Sequence, residues 1–272
     1  MKAFISYSSE DIEFCSAIIK FCENEFGDKC QFFRAENSII GGQDWKETIR
    51  TALSDADFVI GVLTSNSILR PWVIAELGYS WVSKKKSIIL CTRDVKISSV
   101  PDFLSQKQFI YVENTEKFTK EFVEAINLSM GLIYKFEDKT LRKWAKLLYE
   151  KSIASMGPLA TANAWNRALE EGDVEVYERL TSKKSENYIK NKWGTLDKLS
   201  QQYKNSIKNR SASIDIEETI SETRDWAMAK YAVAYQDERN IVEWIDILVF
   251  EEGIWKIRPE FVVHRAMKSD SS

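Results

Sequence analysis

Residues 69–81 read LRPWVIAELGYSW, and the rest of the chain can be organised around this stretch. Pro71 suits the first turn of a helix, where its missing N–H group costs no hydrogen bond. Apolar residues then recur at helical spacing, which predicts a helix with one buried stripe. The members of this stripe are Val73, Ile74, Leu77 and Trp81. A different face of the same helix carries Trp72, Glu76 and Tyr79.

The face that carries Trp72 and Glu76 allows two interpretations. An amphipathic helix commonly exposes a solvated glutamate, and spacing alone favours this reading. A carboxylate one turn from an indole, near a helix N-terminus, can instead hold a flat ring and meet a developing positive charge. The place of the helix in the fold has to decide between the two.

The first 130 residues alternate predicted strands and helices. The predicted strands are residues 3–7, 30–33, 58–63, 87–91 and 108–112. Helices separate the first four strands, a loop leads to the fifth, and a last helix covers 116–127. This βα order requires right-handed crossovers and a parallel sheet that is covered on both faces. We therefore predict an α/β domain with a five-stranded, doubly wound parallel sheet of the flavodoxin-like kind.

In such a sheet, ligands bind outside the carboxyl ends of the strands, at the point where the strand order reverses. The predicted carboxyl ends are residues 6–9, Arg34, residues 64–66 and the loop before Pro71. This rule, which does not depend on the helix pattern, brings Glu76 and Trp72 to the crevice and favours a functional role for them. The chain has no GxxxxGK[ST] loop and no GxGxxG motif, so neither standard phosphate-binding loop is predicted.

Global composition narrows the function classes. The formal net charge at pH 7 is −3, so no general basic field attracts nucleic acid or a membrane surface. Acidic residues follow the N-terminus closely, and the longest apolar run, residues 58–63, is far too short to cross a bilayer. We therefore expect a cytoplasmic protein with no signal peptide and no membrane contact.

Metal and histidine chemistry are not expected. The four cysteines, Cys15, Cys22, Cys30 and Cys91, form no CxxC pair, and we interpret them as reduced, mostly buried thiols. The single histidine, His264, argues against a histidine-rich metal site or a histidine-dependent triad, and its strand context favours a structural role. We expect neither a metal ion nor a resident cofactor.

Several short motifs in the first 130 residues resemble the Toll/interleukin receptor (TIR) domain family. The first strand and its exit read FISYSS at residues 4–9, and the loop after the second strand runs from Arg34 to Trp45. The exit of the third strand reads SNSIL at residues 65–69, and the next helix carries WVIAEL at residues 72–77. Each motif alone is only weakly specific for the family, but the order and spacing of the motifs together are more specific.

This resemblance implies an activity. Many bacterial and plant TIR domains look like NAD⁺-cleaving enzymes that keep a glutamate at the position of Glu76, and cyclising members keep a tryptophan at the position of Trp72. It implies cleavage of the nicotinamide–ribose bond of NAD⁺, as substrate, to nicotinamide and ADP-ribose or a cyclic ADP-ribose isomer, in bacterial anti-phage defence or signalling. The expected catalytic residue is Glu76, and the expected substrate-binding residues are Trp72, Ser6, Tyr7, Arg34, Trp45 and Ser65.

Cleavage of NAD⁺ needs few functional groups, and three of the candidate residues can also be explained by a structural role. Nicotinamide leaves as a neutral molecule from a cationic pyridinium, so no general acid is required. An ionised Glu76 can stabilise the oxocarbenium-like ribose. Tyr7 and Trp45 can equally well belong to the core, and Arg34 can serve in a structural salt bridge.

The second half of the chain has a different organisation. We interpret residues 131–157 as a helical connector that follows the TIR domain of residues 1–130. Residues 158–272 place helices before β-rich runs at 213–220, 226–235, 241–250 and 254–264, which predicts an α+β domain with a curved antiparallel sheet. The chain reads AW at residues 164–165, GD at 172–173 and EGIWKI at 252–257. This pattern is similar to cone-shaped, nuclear-transport-factor-2-like folds. From this similarity we expect a module that senses a cue or drives homo-oligomerisation.

One basic segment could suggest a nucleic-acid partner. Residues 183–210 carry eight basic residues against two acidic ones, interleaved with Tyr188, Trp193 and Tyr203. A solvated helix face with its aromatic residues turned to the core explains this pattern better, because no groove-binding motif accompanies it. We therefore do not expect nucleic acid as a partner.

Two further functions compete with NAD⁺ cleavage. In the first, the chain is a non-catalytic TIR scaffold. The loop from Arg34 to Gln43 then mediates TIR–TIR contacts, and Glu76 has no functional role. In the second, it is a nucleoside deoxyribosyltransferase-like enzyme, which also uses one glutamate on a similar sheet. The scaffold predicts no turnover, and the transferase predicts nucleoside cleavage with indifference to NAD⁺.

Overall fold

A computed structural model describes residues 1–34, 45–95, 100–105, 107–192, 194, 195, 198, 201, 215–222, 225–234, 241–259 and 263–267. The chain divides into two compact units, Met1–Ser155 and Met156–Ser272, and each is described by itself. Within the described residues, no helix combines the length and the apolarity that crossing a membrane requires.

The first unit is built on a five-stranded, all-parallel sheet. Its strands are β1 (Lys2–Ser6), β2 (Gln31–Arg34), β3 (Phe58–Leu63), β4 (Lys86–Cys91) and β5 (Phe109–Tyr111). They lie in the order β2-β1-β3-β4-β5. The order reverses between β1 and β3, where Ser6 is in register with Gly61. This confirms the predicted flavodoxin-like topology and places its switch point between β1 and β3.

Helices cover both faces of this sheet, and apolar residues of the strands alternate between them. The helices are α1 (Ile12–Phe26), α2 (Trp45–Asp55), α3 (Pro71–Val82), α4 (Asp102–Ser105), α5 (Glu116–Met130) and α6 (Asp138–Ala154). On one face, Ile60 and Val62 of β3 pack in a core with α1, α5 and α6. On the other, Val59 and Leu63 pack with α2, α3 and α4. A strand buried on both faces needs unbroken apolarity, which β3 has.

Helix α6 belongs to the core of the first unit. The Trp144 ring meets Phe21 edge to face at a centroid distance of 5.3 Å, and its indole N–H donates to Glu25 Oε1 at 2.7 Å. Leu141 and Leu148 are buried in the same cluster. Most of the segment that the sequence assigned to a connector, residues 131–157, therefore lies in the first compact unit.

The second unit combines helices with an antiparallel sheet. Its elements are α7 (Pro158–Glu171), α8 (Val174–Leu180), α9 (Glu186–Lys192), β6 (Asp215–Glu222), β7 (Trp226–Ala234), β8 (Ile241–Glu251), β9 (Ile254–Ile257) and β10 (Val263–Met267). The sheet order is β10-β8-β7-β6, with β9 also paired to β8, and α7 packs against the sheet. The predicted last strand, residues 254–264, is thus divided between β9 and β10.

The inward stripe of α3 differs from the predicted one. Val73 and Leu77 are buried as expected, but Trp81 is 51% exposed and packs against the Phe103 ring. Ser80 takes the inward position and donates to the Leu77 carbonyl at 2.9 Å. Ser80 and not Trp81 therefore occupies the buried face of the helix, and the prediction for Trp81 is wrong.

Candidate active site

The site is built on the first two turns of α3. Arg70 is the N-cap with an extended backbone, and Pro71 occupies the first turn as its fixed φ angle favours. Trp72 and Glu76 follow one turn apart, so their side chains lie on the same side of the helix. Trp72 is 44% exposed while Glu76 is only 6% exposed. The helix therefore places a buried carboxylate next to a half-exposed indole.

Two hydrogen-bond donors contact the Glu76 carboxylate. Among the described side chains, no cation pairs with it. Ser6 at the end of β1 donates its hydroxyl to Glu76 Oε2 at 2.5 Å, and the Trp72 side chain also hydrogen-bonds the carboxylate. Burial raises the pKa of Glu76 to about 7, and the hydrogen bonds from Ser6 and Trp72 oppose that rise. A large part of the Glu76 population is thus protonated at neutral pH.

A glycine in β3 lets α3 come close enough for this contact. A Cβ atom at Gly61 would lie 2.7 Å from Leu77 Cδ2 and 3.0 Å from Ile89 Cδ1. Leu77 directly follows Glu76 and is fully buried, so it has little room to move aside. Sequence reasoning did not single out Gly61, although a glycine inside a buried strand often marks a close approach.

Further carboxylates are buried around the loop that joins β3 to α3. Asp11 accepts hydrogen bonds from Thr64 and Asn66, and Asp94 accepts one from the backbone N–H of Ser65 at 2.9 Å. Asp11 is 1% and Asp94 6% exposed. Sequence analysis passed over both, because Asp11 looks like an ordinary acidic residue at a helix start and Asp94 lies in the turn after β4. Their burial is visible only in the fold.

The structure brings some of the predicted site residues together and not others. Ser6, Trp72 and Glu76 form one hydrogen-bonded group. Tyr7 packs against the core on the α1 face of the sheet, away from the face that carries Glu76. Ser65 lies in the β3–α3 loop and donates its backbone N–H to Asp94. The side chains of Arg34 and Trp45, at the end of β2 and the start of α2, lie outside the described part of the structure.

A separate cavity of about 580 Å³ lies elsewhere on the first unit. It is lined by residues of β1, β2 and α2, including Lys2, Gln31 and Asp55. These residues belong to the beginnings of β1 and β2 and to α2, while Ser6 marks the end of β1. This cavity is therefore not the site that contains Glu76. Among the described residues, no group of three His, Cys, Asp or Glu side chains could hold a metal ion.

Together, the fold and this site define a doubly wound α/β domain with a buried glutamate at its switch point. The TIR domain family model matches residues 3–126, so this part of the chain is a TIR domain. The match covers a little under half of the chain. It confirms the family resemblance that the motifs of the first 130 residues carried.

Two other comparisons add little. No curated protein matches the chain. Among solved structures, a metazoan TIR-STING receptor from C. gigas in complex with 2',3'-cGAMP is 14% identical, with 94% of this chain and 71% of that chain covered and a TM-score of 0.33. A likeness at that TM-score carries no argument about fold or function.

Proposed function

We propose that the TIR domain cleaves the bond between nicotinamide and ribose in NAD⁺, with Glu76 as the catalytic residue. The observation that carries this proposal is the buried Glu76 carboxylate, hydrogen-bonded by Ser6 and Trp72 beside a half-exposed indole. It lies at the sheet edge where ligands of doubly wound folds bind. Membership of the TIR family alone would fit a non-catalytic adaptor equally well. The buried Glu76 carboxylate favours catalysis, because it can stabilise a developing positive charge.

The chemistry fits a single carboxylate. As the glycosidic bond breaks, its electron pair moves to the pyridinium nitrogen, and nicotinamide leaves as a neutral molecule. The ribose becomes oxocarbenium-like, and an ionised Glu76 stabilises that positive charge in a poorly solvated site. Water then adds to the anomeric carbon and loses a proton, which gives ADP-ribose. Attack by an adenine nitrogen of the same molecule gives a cyclic isomer instead.

Ser6 and Trp72 have different parts in this scheme. The Ser6 hydroxyl fixes one carboxylate oxygen, so the side chain of Glu76 needs no reorientation before the reaction. The exposed part of the Trp72 ring offers a flat surface for nicotinamide or adenine. Holding adenine near the ribose favours the cyclic product, so Trp72 is the residue whose change should alter the product ratio.

The decisive experiment measures nicotinamide release from NAD⁺ by the purified full chain and by Glu76→Gln. We expect release by the wild type and a loss of about 10²- to 10³-fold in the variant, because one electrostatic stabiliser of a transition state has that effect. Glu124→Gln, an exposed glutamate on α5, serves as the matched control and should retain full activity. Equal release by the wild type and Glu76→Gln would refute the proposal.

The same assay separates the two competing functions. A nucleoside offered in place of NAD⁺ should not be cleaved, and its cleavage would favour the deoxyribosyltransferase-like alternative. Absence of turnover at every protein concentration would favour a TIR scaffold. The exposed Trp81 and Val82, at 51% and 70% exposure on the last turn of α3, give such a scaffold an apolar contact surface.

We propose that the second unit senses a cue or drives self-association, in a bacterial defence or signalling role. A buried polar pair joins α7 to its antiparallel sheet, in which Asn166 Nδ2 of α7 donates to Asp246 Oδ2 of β8 at 3.4 Å. A cavity of about 780 Å³ is lined by side chains of both charges, among them Arg179, Lys190 and Glu252. If assembly activates the enzyme, specific activity should rise with protein concentration, and light scattering should show oligomers over the same range.

A further inference from the structure

The loop of residues 64–70, which joins β3 to α3, is tied to the start of α1 by one buried side chain. The Thr64 hydroxyl donates to Asp11 Oδ2 at 2.6 Å, and Asn66 Nδ2 donates to Asp11 Oδ1 at 2.8 Å. Both oxygens of a single carboxylate thus hold the beginning of this loop. Hydrogen bonds to an ionised acceptor are about twice as strong as neutral ones.

The loop itself is closed by short-range hydrogen bonds that continue into the helix. The backbone N–H of Thr64 donates to Ser67 Oγ at 2.7 Å, and that of Ser67 donates to Thr64 Oγ1 at 3.0 Å. Arg70 N–H then donates to the Ser67 carbonyl at 3.0 Å, and Ile74 N–H to the Arg70 carbonyl at 3.2 Å. A displacement at Thr64 is therefore passed to the first turns of α3.

The burial of Asp11 is energetically demanding, which argues against an incidental contact. Asp11 is 1% exposed. Burial raises its pKa above the ordinary value, while the hydrogen bonds from Thr64 and Asn66 lower it and the nearby charges of Asp94 and Glu10 raise it further. A buried carboxylate is tolerated only when its oxygens are well satisfied. Removal of these donors, or of the carboxylate, should therefore loosen the loop noticeably.

Two loops thus meet at the switch point of the sheet. Residues 6–11 leave β1, and residues 64–70 leave the neighbouring strand β3. Ser6 at one end of the first loop donates to Glu76 directly, while Asp11 at its other end holds the loop that leads into α3. The carboxylate of Glu76 is positioned from both sides.

We infer that Asp11 is a positioning residue for Glu76, acting through Thr64 and Asn66 on the loop that starts α3. This inference rests on the proposed NAD⁺ cleavage for its catalytic consequence, but its structural part can be tested without any turnover. Asp11 touches no substrate in this account. Its effect is to keep Glu76 within reach of the developing charge on the ribose.

The test combines amide hydrogen exchange with steady-state kinetics on the full chain. In Asp11→Asn, we expect exchange of residues 64–76 to speed up about tenfold, because local opening becomes easier when the ionic hydrogen bonds weaken. Exchange in β4 should stay unchanged. For NAD⁺ cleavage, kcat should fall about 10- to 100-fold, as a misplaced catalytic group can cost that much, and KM should change less.

A matched control and a second variant separate positioning from general destabilisation. Asp57 is an exposed carboxylate that accepts from Lys2 N–H at 2.8 Å at the opposite end of β1. Asp57→Asn should leave exchange at residues 64–76 and kcat unchanged. Thr64→Val removes a donor to Asp11, and with it the acceptor of the Ser67 N–H, while keeping the side-chain shape. In the double variant with Asp11→Asn, the losses in kcat should be smaller than the product of the single losses, because both changes affect the Thr64–Asp11 hydrogen bond.

The outcomes distinguish this inference from the proposed function. Unchanged exchange of residues 64–76 in Asp11→Asn and Thr64→Val overturns the positioning role, whether or not the chain cleaves NAD⁺. Faster exchange with wild-type kcat also overturns it, because the loop would then not control Glu76. Failure of the proposed function has a different signature, namely a wild-type protein that releases no nicotinamide.

Discussion

Two glutamates, one in each unit of the molecule, are held in opposite ways. Glu76 is 6% exposed, and burial raises its pKa to about 7. Glu252 is exposed in the turn between β8 and β9, where Lys183 Nζ and Lys256 Nζ donate to its two oxygens at 2.7 and 2.8 Å. These hydrogen bonds lower the pKa of Glu252 to about 2.

The difference lies in the charge of the groups that surround each carboxylate. Glu252 already has two cationic partners, so its charge is satisfied within the fold. Among the residues that the structure describes, Glu76 has only the neutral donors Ser6 and Trp72, so its negative charge is energetically costly. A cationic ligand next to Glu76 would favour the ionised form. In the proposed reaction, the positively charged pyridinium of NAD⁺ would do so, and so would the ribose as it becomes oxocarbenium-like.

The largest effect expected from the contrast between Glu76 and Glu252 is a change in the free energy of unfolding. Because the pKa of Glu76 is raised in the folded state, its stabilising contribution is present below about pH 4.5 and is lost as the pH rises through about 7. Glu76→Gln should therefore be more stable than wild type by about 3 kcal/mol near pH 8. Near pH 5 the gain should shrink to about 1 kcal/mol. Calorimetry at both pH values measures the difference, and a pH-independent gain would contradict the assigned pKa.

The close approach of α3 to the sheet can be broken at Gly61. Gly61→Ala should destabilise the first unit by about 1–3 kcal/mol, because the added methyl group collides with Leu77 and Ile89 in a packed core. The same shift moves Glu76 away from Ser6, so nicotinamide release should fall as well. Gly131→Ala serves as the control for Gly61→Ala. A Cβ atom at Gly131 would meet nothing within 4 Å, so the strain in this variant comes only from the backbone φ angle of 67°. That variant should be destabilised without a comparable loss of kcat.

The pH dependence of the reaction tests the protonation state of Glu76. If the carboxylate form is the active one, kcat/KM for NAD⁺ cleavage should rise about tenfold between roughly pH 6 and pH 8, with a midpoint near the pKa of about 7. Ser6→Ala removes a hydrogen bond that lowers this pKa, so the midpoint should move to higher pH. Ser80→Ala, on the same helix but bonded to the Leu77 carbonyl, should leave the midpoint in place. A midpoint that stays unchanged in Ser6→Ala would argue against the hydrogen bond between Ser6 and Glu76.

The smallest expected effect belongs to Glu252. Because its pKa is lowered in the folded state, its contribution is present above about pH 4.5 and is lost as the pH falls through about 2. Glu252→Gln should therefore be slightly less stable at neutral pH, the opposite sign to Glu76→Gln, and the difference should fade in acid. Solvent screening keeps the effect small. Nicotinamide release by Glu252→Gln should equal that of wild type, which a simple activity assay checks.

Much of the first unit was predictable because its signals are local. Strand β3 shows unbroken apolarity over six residues, and its bounds match the predicted ones. Pro71 marks the start of α3 as expected. Trp81 was mispredicted because helical periodicity gives the direction of a stripe only to within one residue. Which of the two adjacent residues, Ser80 or Trp81, is buried depends on how the helix packs in the fold.

The sequence by itself determined the order of strands and helices, the family motifs and the choice of Trp72 and Glu76, since all of these depend on spacing along one chain. Only the tertiary structure decided that Glu76 is buried, that Ser6 holds it, and that Asp11 ties the loop before α3. Those facts join residues 70 and 53 positions apart. Burial and long-range contact are properties of packed neighbours, and a single sequence does not state which neighbours will meet.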